Sequence, residues 1–113
     1  MESILNSIKK PLNISDTDTA FDHDLIMHIN AVFMILNQIG IGPINCFSIS
    51  DASATWDSFS SDMSTIQAVK TYIYLKVRLI FDPPTSSSVM DAVNRNISEL
   101  EWRLNVMTES KHN

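Results

Sequence analysis

A chain of 113 residues is long enough to bury a modest core without metal or disulfide help and reads as one domain. Its apolar fraction of 44%, with only 4 prolines and 2 glycines, points to ordered and mostly helical structure rather than a flexible polymer. Eight basic residues against thirteen acidic ones leave a net charge of −5, which disfavours a protein whose affinity comes from neutralising phosphates. Cys46 is the single cysteine, so an intramolecular disulfide is excluded and a reducing cytosol is the natural setting. The start, Met1-Glu-Ser-Ile-Leu, has no positively charged leader before an apolar run, and no signal peptide is expected. No stretch reaches about 18 uninterrupted apolar residues, so no membrane span is expected either. The glycosylation-type matches at Asn13 and Asn96 carry little weight without an export signal.

Ile4, Leu5 and Ile8 stand at helical spacing, predicting a short first helix over residues 2–10 that Pro11 closes. Residues 12–19 read as a polar loop. Thr19-Ala-Phe-Asp22 resembles a capping box with Asp in place of Glu, opening a helix over 20–39 with Asp22 and Asp24 in its positive first turn. Phe21, Leu25, Ile29, Val32, Leu36 and Ile39 form its stripe, Ile26, Phe33 and Met34 widen it, and Gly40 supplies a left-handed stop. A helix this apolar on several sides predicts more than one packing neighbour.

Residues 40–43 form a turn, and Cys46-Phe-Ser-Ile-Ser50 alternates like a short strand or extended edge. Residues 51–61 read as a polar loop pinned to the core by Trp56 and Phe59. The run from Met63 to Phe81 fits two periods. Period two places Thr71, Ile73, Leu75, Val77, Leu79 and Phe81 on one side; period 3.6 places Ile66, Val69, Ile73, Val77 and Ile80 on one face, flanked by Tyr72, Leu75 and Leu79. Its length far exceeds the usual five or six residues of a strand, which decides for a helix over 63–81. Asp82-Pro83-Pro84 ends it, because proline cannot continue a helix and pushes its predecessor out of the helical region. Ser88-Val-Met-Asp91 is a second capping-box pattern. Val89, Val93, Ile97, Leu100, Leu104 and Met107 then mark a last helix over 87–107, with i,i+4 pairs Asp91–Arg95 and Glu99–Arg103. Residues 108–113 are expected to fray. The fold class is mainly α: a compact bundle of about four helices, with a short extended segment or hairpin between the second and third.

Candidate chemistry is sparse. Asp16, Asp18, Asp22 and Asp24 crowd one region, yet a calcium loop counted from Asp16 meets Ala20, Phe21 and Met27 where it needs a ligand, a glycine and a glutamate. His23 and His28 lack the i,i+4 spacing of a zinc-binding helix, and His112 lies in the tail. Cys46 has no signature of an oriented base and reads as a small apolar residue. Glu99 and Glu101 project to different helix faces as surface charges. Two glycines cannot build a phosphate loop. No catalytic, cofactor or metal residues are assigned, and no enzyme activity is expected.

The unusual residues are Lys70, Lys76 and Arg78 within an apolar helix. Their stems can cover the core while their heads reach water, or they can pair with acidic groups of a neighbouring subunit. Trp102 is offset from its helix stripe and stands beside Arg103, a pairing over-represented at interface hot spots.

Three stretches, Phe21-Asp-His-Asp-Leu-Ile-Met-His-Ile-Asn30, Ala68 to Ser86 with its Pro-Pro corner, and Leu100-Glu-Trp-Arg-Leu-Asn-Val106, resemble the small head-tail connector (adaptor, head completion) proteins of tailed bacteriophages. The likeness runs from Ile4 to about Met107. It implies a mainly helical structural adaptor that forms a ring of about twelve copies beneath the portal, extends the DNA channel and docks a stopper or tail-completion protein. By the same likeness the C-terminal helix grips the portal, which places Trp102, Val106 and Met107 in that contact. Genome DNA would pass without specific binding, no membrane is involved, and the location is the head-tail interface of a virion assembled in the bacterial host cytoplasm. The rival is a small intracellular helical regulatory or partner-binding protein of helix-turn-helix type. Against it, the Pro-Pro corner is not the short glycine-containing turn of that motif, and the last helix carries both signs of charge.

Overall fold

The computed structural model describes residues 2–112, with side chains described for residues 2–109. Helix α1 (Ile4–Lys9) begins at Ser3, whose hydroxyl accepts from the Asn6 amide at 3.3 Å. It continues as a 3-10 turn, Lys10–Leu12, that holds Pro11 and ends at Asn13 with a left-handed φ of 63°. Pro11 therefore tightens the chain into that turn instead of simply stopping it. Six residues are too few for a stable isolated helix. α1 persists because Ile4, Leu5, Ser7, Ile8 and Lys9 are all buried.

Helix α2 (Asp22–Ile39) starts without a side-chain cap. The capping box expected at Thr19 does not form: Asp22, its intended acidic member, is drawn to Lys9 at 2.8 Å. Gly40, at φ 98°, ends α2 as expected, with its own amide and that of Ile41 bonded back to Leu36. The stripe buries Leu25, Ile29, Val32 and Leu36 together with Phe33, whereas Met34 is exposed.

Residues 46–50 form no regular element, and among the described residues there is no strand; the sole bridge pairs Ser3 with Thr55. The partner of this segment is a side chain. Asn30 donates to the Ile49 carbonyl at 2.9 Å, and the Ile49 amide donates back to Asn30 Oδ1 at 2.8 Å, as a neighbouring strand would. What reads as polar loop at 51–61 contains a one-turn helix, α3 (Trp56–Phe59). Trp56 and Phe59 are buried against Phe33 and Phe47, with ring centroids 5.0 to 6.5 Å apart. Gly42 passes so close to Phe59 that a Cβ would stand 2.6 Å from the ring.

Helix α4 (Met63–Phe81) confirms the helical choice over the strand. It is capped by Asp62, which accepts from the Ser64 amide at 3.1 Å and the Thr65 hydroxyl at 2.8 Å. Helix α5 (Ser87–His112) is anchored by Ser86, not Ser88: the Ser86 carbonyl accepts from Met90 at 3.0 Å and its hydroxyl faces the Val89 amide. α5 runs five residues past its expected end, through part of the stretch expected to fray. α4 packs against α1, α2 and α5, and α2 also meets α1 and α5. The result is a slab of 43 × 36 × 20 Å.

Three stripe residues miss the core: Phe21 is 41% exposed, Ile80 62% and Val89 42%. Phe21 precedes the first turn of α2 and packs its ring edge-on to Phe81 at 5.2 Å. Ile80 and Val89 sit in turns adjoining the Pro83-Pro84 corner, where each helix stripe reaches its end.

Candidate functional site

The aspartate-rich loop resolves into an internal ion site. The Lys9 side chain is 1% exposed, and its ammonium lies 2.8 Å from Asp22 Oδ1 and 2.7 Å from the Asp18 carbonyl, with the Asp16 carbonyl at 3.5 Å. A buried ammonium requires such partners. The cation that the aspartates gather is thus the chain's own lysine, and no group of three or more His, Cys, Asp or Glu among the described residues is arranged to hold a metal. Nothing in the sequence reading singled out Lys9. The signal was there: it follows Leu5 by four residues, so it shares the buried side of α1.

Glu101 is likewise more than a surface charge. It is half-buried and accepts the Tyr72 hydroxyl at 2.8 Å, tying α5 to the centre of α4. Burial, reinforced by the bond to Glu101 and its charge, pushes the Tyr72 hydroxyl far above its ordinary range. On the α2–α3 connection, the Ser53 hydroxyl and amide hold the Asp51 carboxyl below its usual value, and the Thr55 hydroxyl does the same for Asp57. Cys46 is exposed, contrary to its reading as a packed apolar residue.

The structure distributes the seven candidate interface residues. Trp102 is 65% exposed and Val106 39% exposed; four apart, they form one apolar stripe on the outer side of α5. Arg103 is exposed and bonded to Glu99 at 2.9 Å. Among the described residues, by contrast, Asp91 and Arg95 make no ion pair. Met107 is half-buried against the core. Lys70 pairs within the chain, with Glu2 at 2.8 Å. Lys76 and Arg78 are half-buried, as snorkelling predicts, and have no acidic partner among the described residues. Two apart on a helix, they point to nearly opposite sides.

Between α4 and α5 lies an open groove of about 410 Å³. Leu75, Leu100 and Tyr74 form its floor; Thr71, Asn96, Glu99 and Arg103 form its exposed rim. Arg78 stands one turn beyond Tyr74 on the same side of α4. Elsewhere, Ile44 is 96% exposed at the tip of the turn after α2. The Asn37 amide group holds that tip, donating to the carbonyls of Pro43 and Ile44 at 3.2 and 3.3 Å. Charge is uneven along the chain. Residues 11–69 carry seven aspartates and neither lysine nor arginine, whereas residues 70–113 carry six of the eight basic residues. No helix among the described residues is long and apolar enough to cross a membrane.

A family model described as phage connector protein matches residues 4–111. No curated protein and no solved structure matches the chain.

Proposed function

The chain belongs to the phage connector protein family, a structural family of the virion, and from that premise we propose that it is a head-tail adaptor without catalytic turnover. Copies form a ring beneath the portal, extend the DNA channel, and present a docking surface to a stopper or tail-completion protein. The observation that carries this reading is the extent of the family match, which takes in every helix from Ile4 to the last turn of α5. The surface is compatible with it. An acidic chain lets DNA slide past without adhering, since there is little positive charge to exchange for its counterions.

The portal-gripping element is α5, through Trp102 and Val106. An apolar stripe facing solvent on an otherwise charged helix gains free energy only when a partner covers it. Replacing Trp102 with Ala removes a side chain that is 65% exposed, so the fold is expected to keep its stability to within about 0.5 kcal/mol. Attachment to portal rings, measured by pull-down or interferometry, is expected to weaken about 30-fold, as for a hot-spot aromatic. Unchanged attachment would remove Trp102 from the contact.

A further inference from the structure

The ring proposed above requires each copy to carry two different surfaces that fit one another, because a ring closes through head-to-tail contacts. We infer that the Ile44 tip of one copy inserts into the α4–α5 groove of the next, guided by its acidic flank meeting Arg78 and Arg103.

Three observations meet in this assignment. The first is shape. Ile44 is an aliphatic side chain almost wholly in water, on a backbone that Asn37 fixes by two hydrogen bonds and that Pro43 stiffens. Such a residue is pre-organised for insertion, so little conformational freedom is lost on binding. The second is the receptor. The groove has an apolar floor of Leu75, Leu100 and Tyr74, ample room for an isoleucine, and no contribution from residues 41–60 of its own chain. Tip and groove are therefore separate patches, and joining them between copies gives a heterologous contact that propagates.

The third is charge. Asp51 and Asp57 are exposed on the segment that follows the tip, and no lysine or arginine precedes Lys70 there. On the receptor side, among the described residues, Arg78 has no acidic partner and Arg103 has only an exposed pair with Glu99, worth little in water and readily exchanged. Opposite signs on the two patches favour head-to-tail docking and oppose tip-to-tip contact, which would bring aspartates together.

The test uses the chain's own thiol. Cys46 is exposed two residues from Ile44 and is the sole cysteine. A second thiol is introduced on the groove rim by Asn96→Cys or, separately, Thr71→Cys, and portal-bound protein is treated with a short bismaleimide. Head-to-tail docking predicts a ladder of covalent species beyond the dimer for both variants, and none beyond the dimer for the native chain. Ile44→Ser is expected to weaken self-association about tenfold or more, since that side chain is buried only in the assembly. Rings that form on the portal yet give no ladder with either variant would overturn the tip-and-groove contact and leave the adaptor reading standing. A strong dimer from the native chain alone would overturn it in favour of a tip-to-tip contact. Failure of the protein to form rings on the portal at all would sink both.

Discussion

Lys9 is the residue on which the N-terminal half of the molecule depends. Its ammonium joins the end of α1 to the 16–18 loop and to the first turn of α2, where the Asp22 carboxylate also meets the positive end of the helix dipole. Lys9→Met leaves that carboxylate and a loop carbonyl without their donor, and breaking a buried pair on one side costs more than the pair itself contributes. Because Asp22 is 24% exposed and can recover some water, the expected loss is about 2–4 kcal/mol in urea denaturation, at the lower part of the range for buried pairs. Asp22→Asn keeps an acceptor oxygen but leaves the buried ammonium without its counter-charge, so it should lose at least as much, about 3–4 kcal/mol. Equal stability of Lys9→Met and the native protein would mean that the loop is held by other contacts. Composition and spacing could not reveal this pair, since its partners lie thirteen residues apart across a loop whose path periodicity does not encode.

At the scale of elements, the helices were readable because each carries its own period and punctuation. Leu25, Ile29, Val32 and Leu36 are buried as their spacing requires, Gly40 stops α2, and the proline pair stops α4. The two capping boxes misled for a shared reason. A hydroxyl and a carboxylate three apart suit a helix start only if nothing else claims them, and Lys9 claims Asp22 while Ser86 precedes Ser88 at α5. The alternation at 46–50 does not become a strand, and it could not name the partner of Ile49, which is the Asn30 amide group. Asn30→Ala should cost about 1–2 kcal/mol, through two lost hydrogen bonds to a partly buried segment. Hydrogen exchange at the Ile49 amide should quicken accordingly. Undiminished protection there would show that the aromatic contacts of Phe47, Trp56 and Phe59 hold the segment without it. Of the candidate interface residues, Trp102 stands out in the sequence as offset from the α5 stripe, whereas Val106 enters only through the resemblance to the connector family. The groove and the Ile44 tip were not legible, because they arise from how α4 meets α5 and from a turn whose exposure only the folded chain decides.

For the whole molecule, the slab shape and the separated charges say more than any side-chain cluster. A slab about 20 Å thick offers broad faces and narrow edges, and residues 11–69 are purely acidic in their fixed charge whereas residues 70–113 carry both signs, six basic against five acidic. That arrangement suits a subunit that meets copies of itself through unlike edges and a different partner through α5. Lys9 and Lys70 are paired within the protomer, the first in a buried ion pair and the second at the surface. Among the described residues Arg78 has no acidic partner, and Trp102 and Ile44 are exposed. The most direct measurement is sedimentation of the purified protein alone and mixed with portal rings from the same genome. Co-sedimentation at near one-to-one subunit stoichiometry is the predicted result, whereas a stable monomer that ignores the portal would contradict the adaptor role.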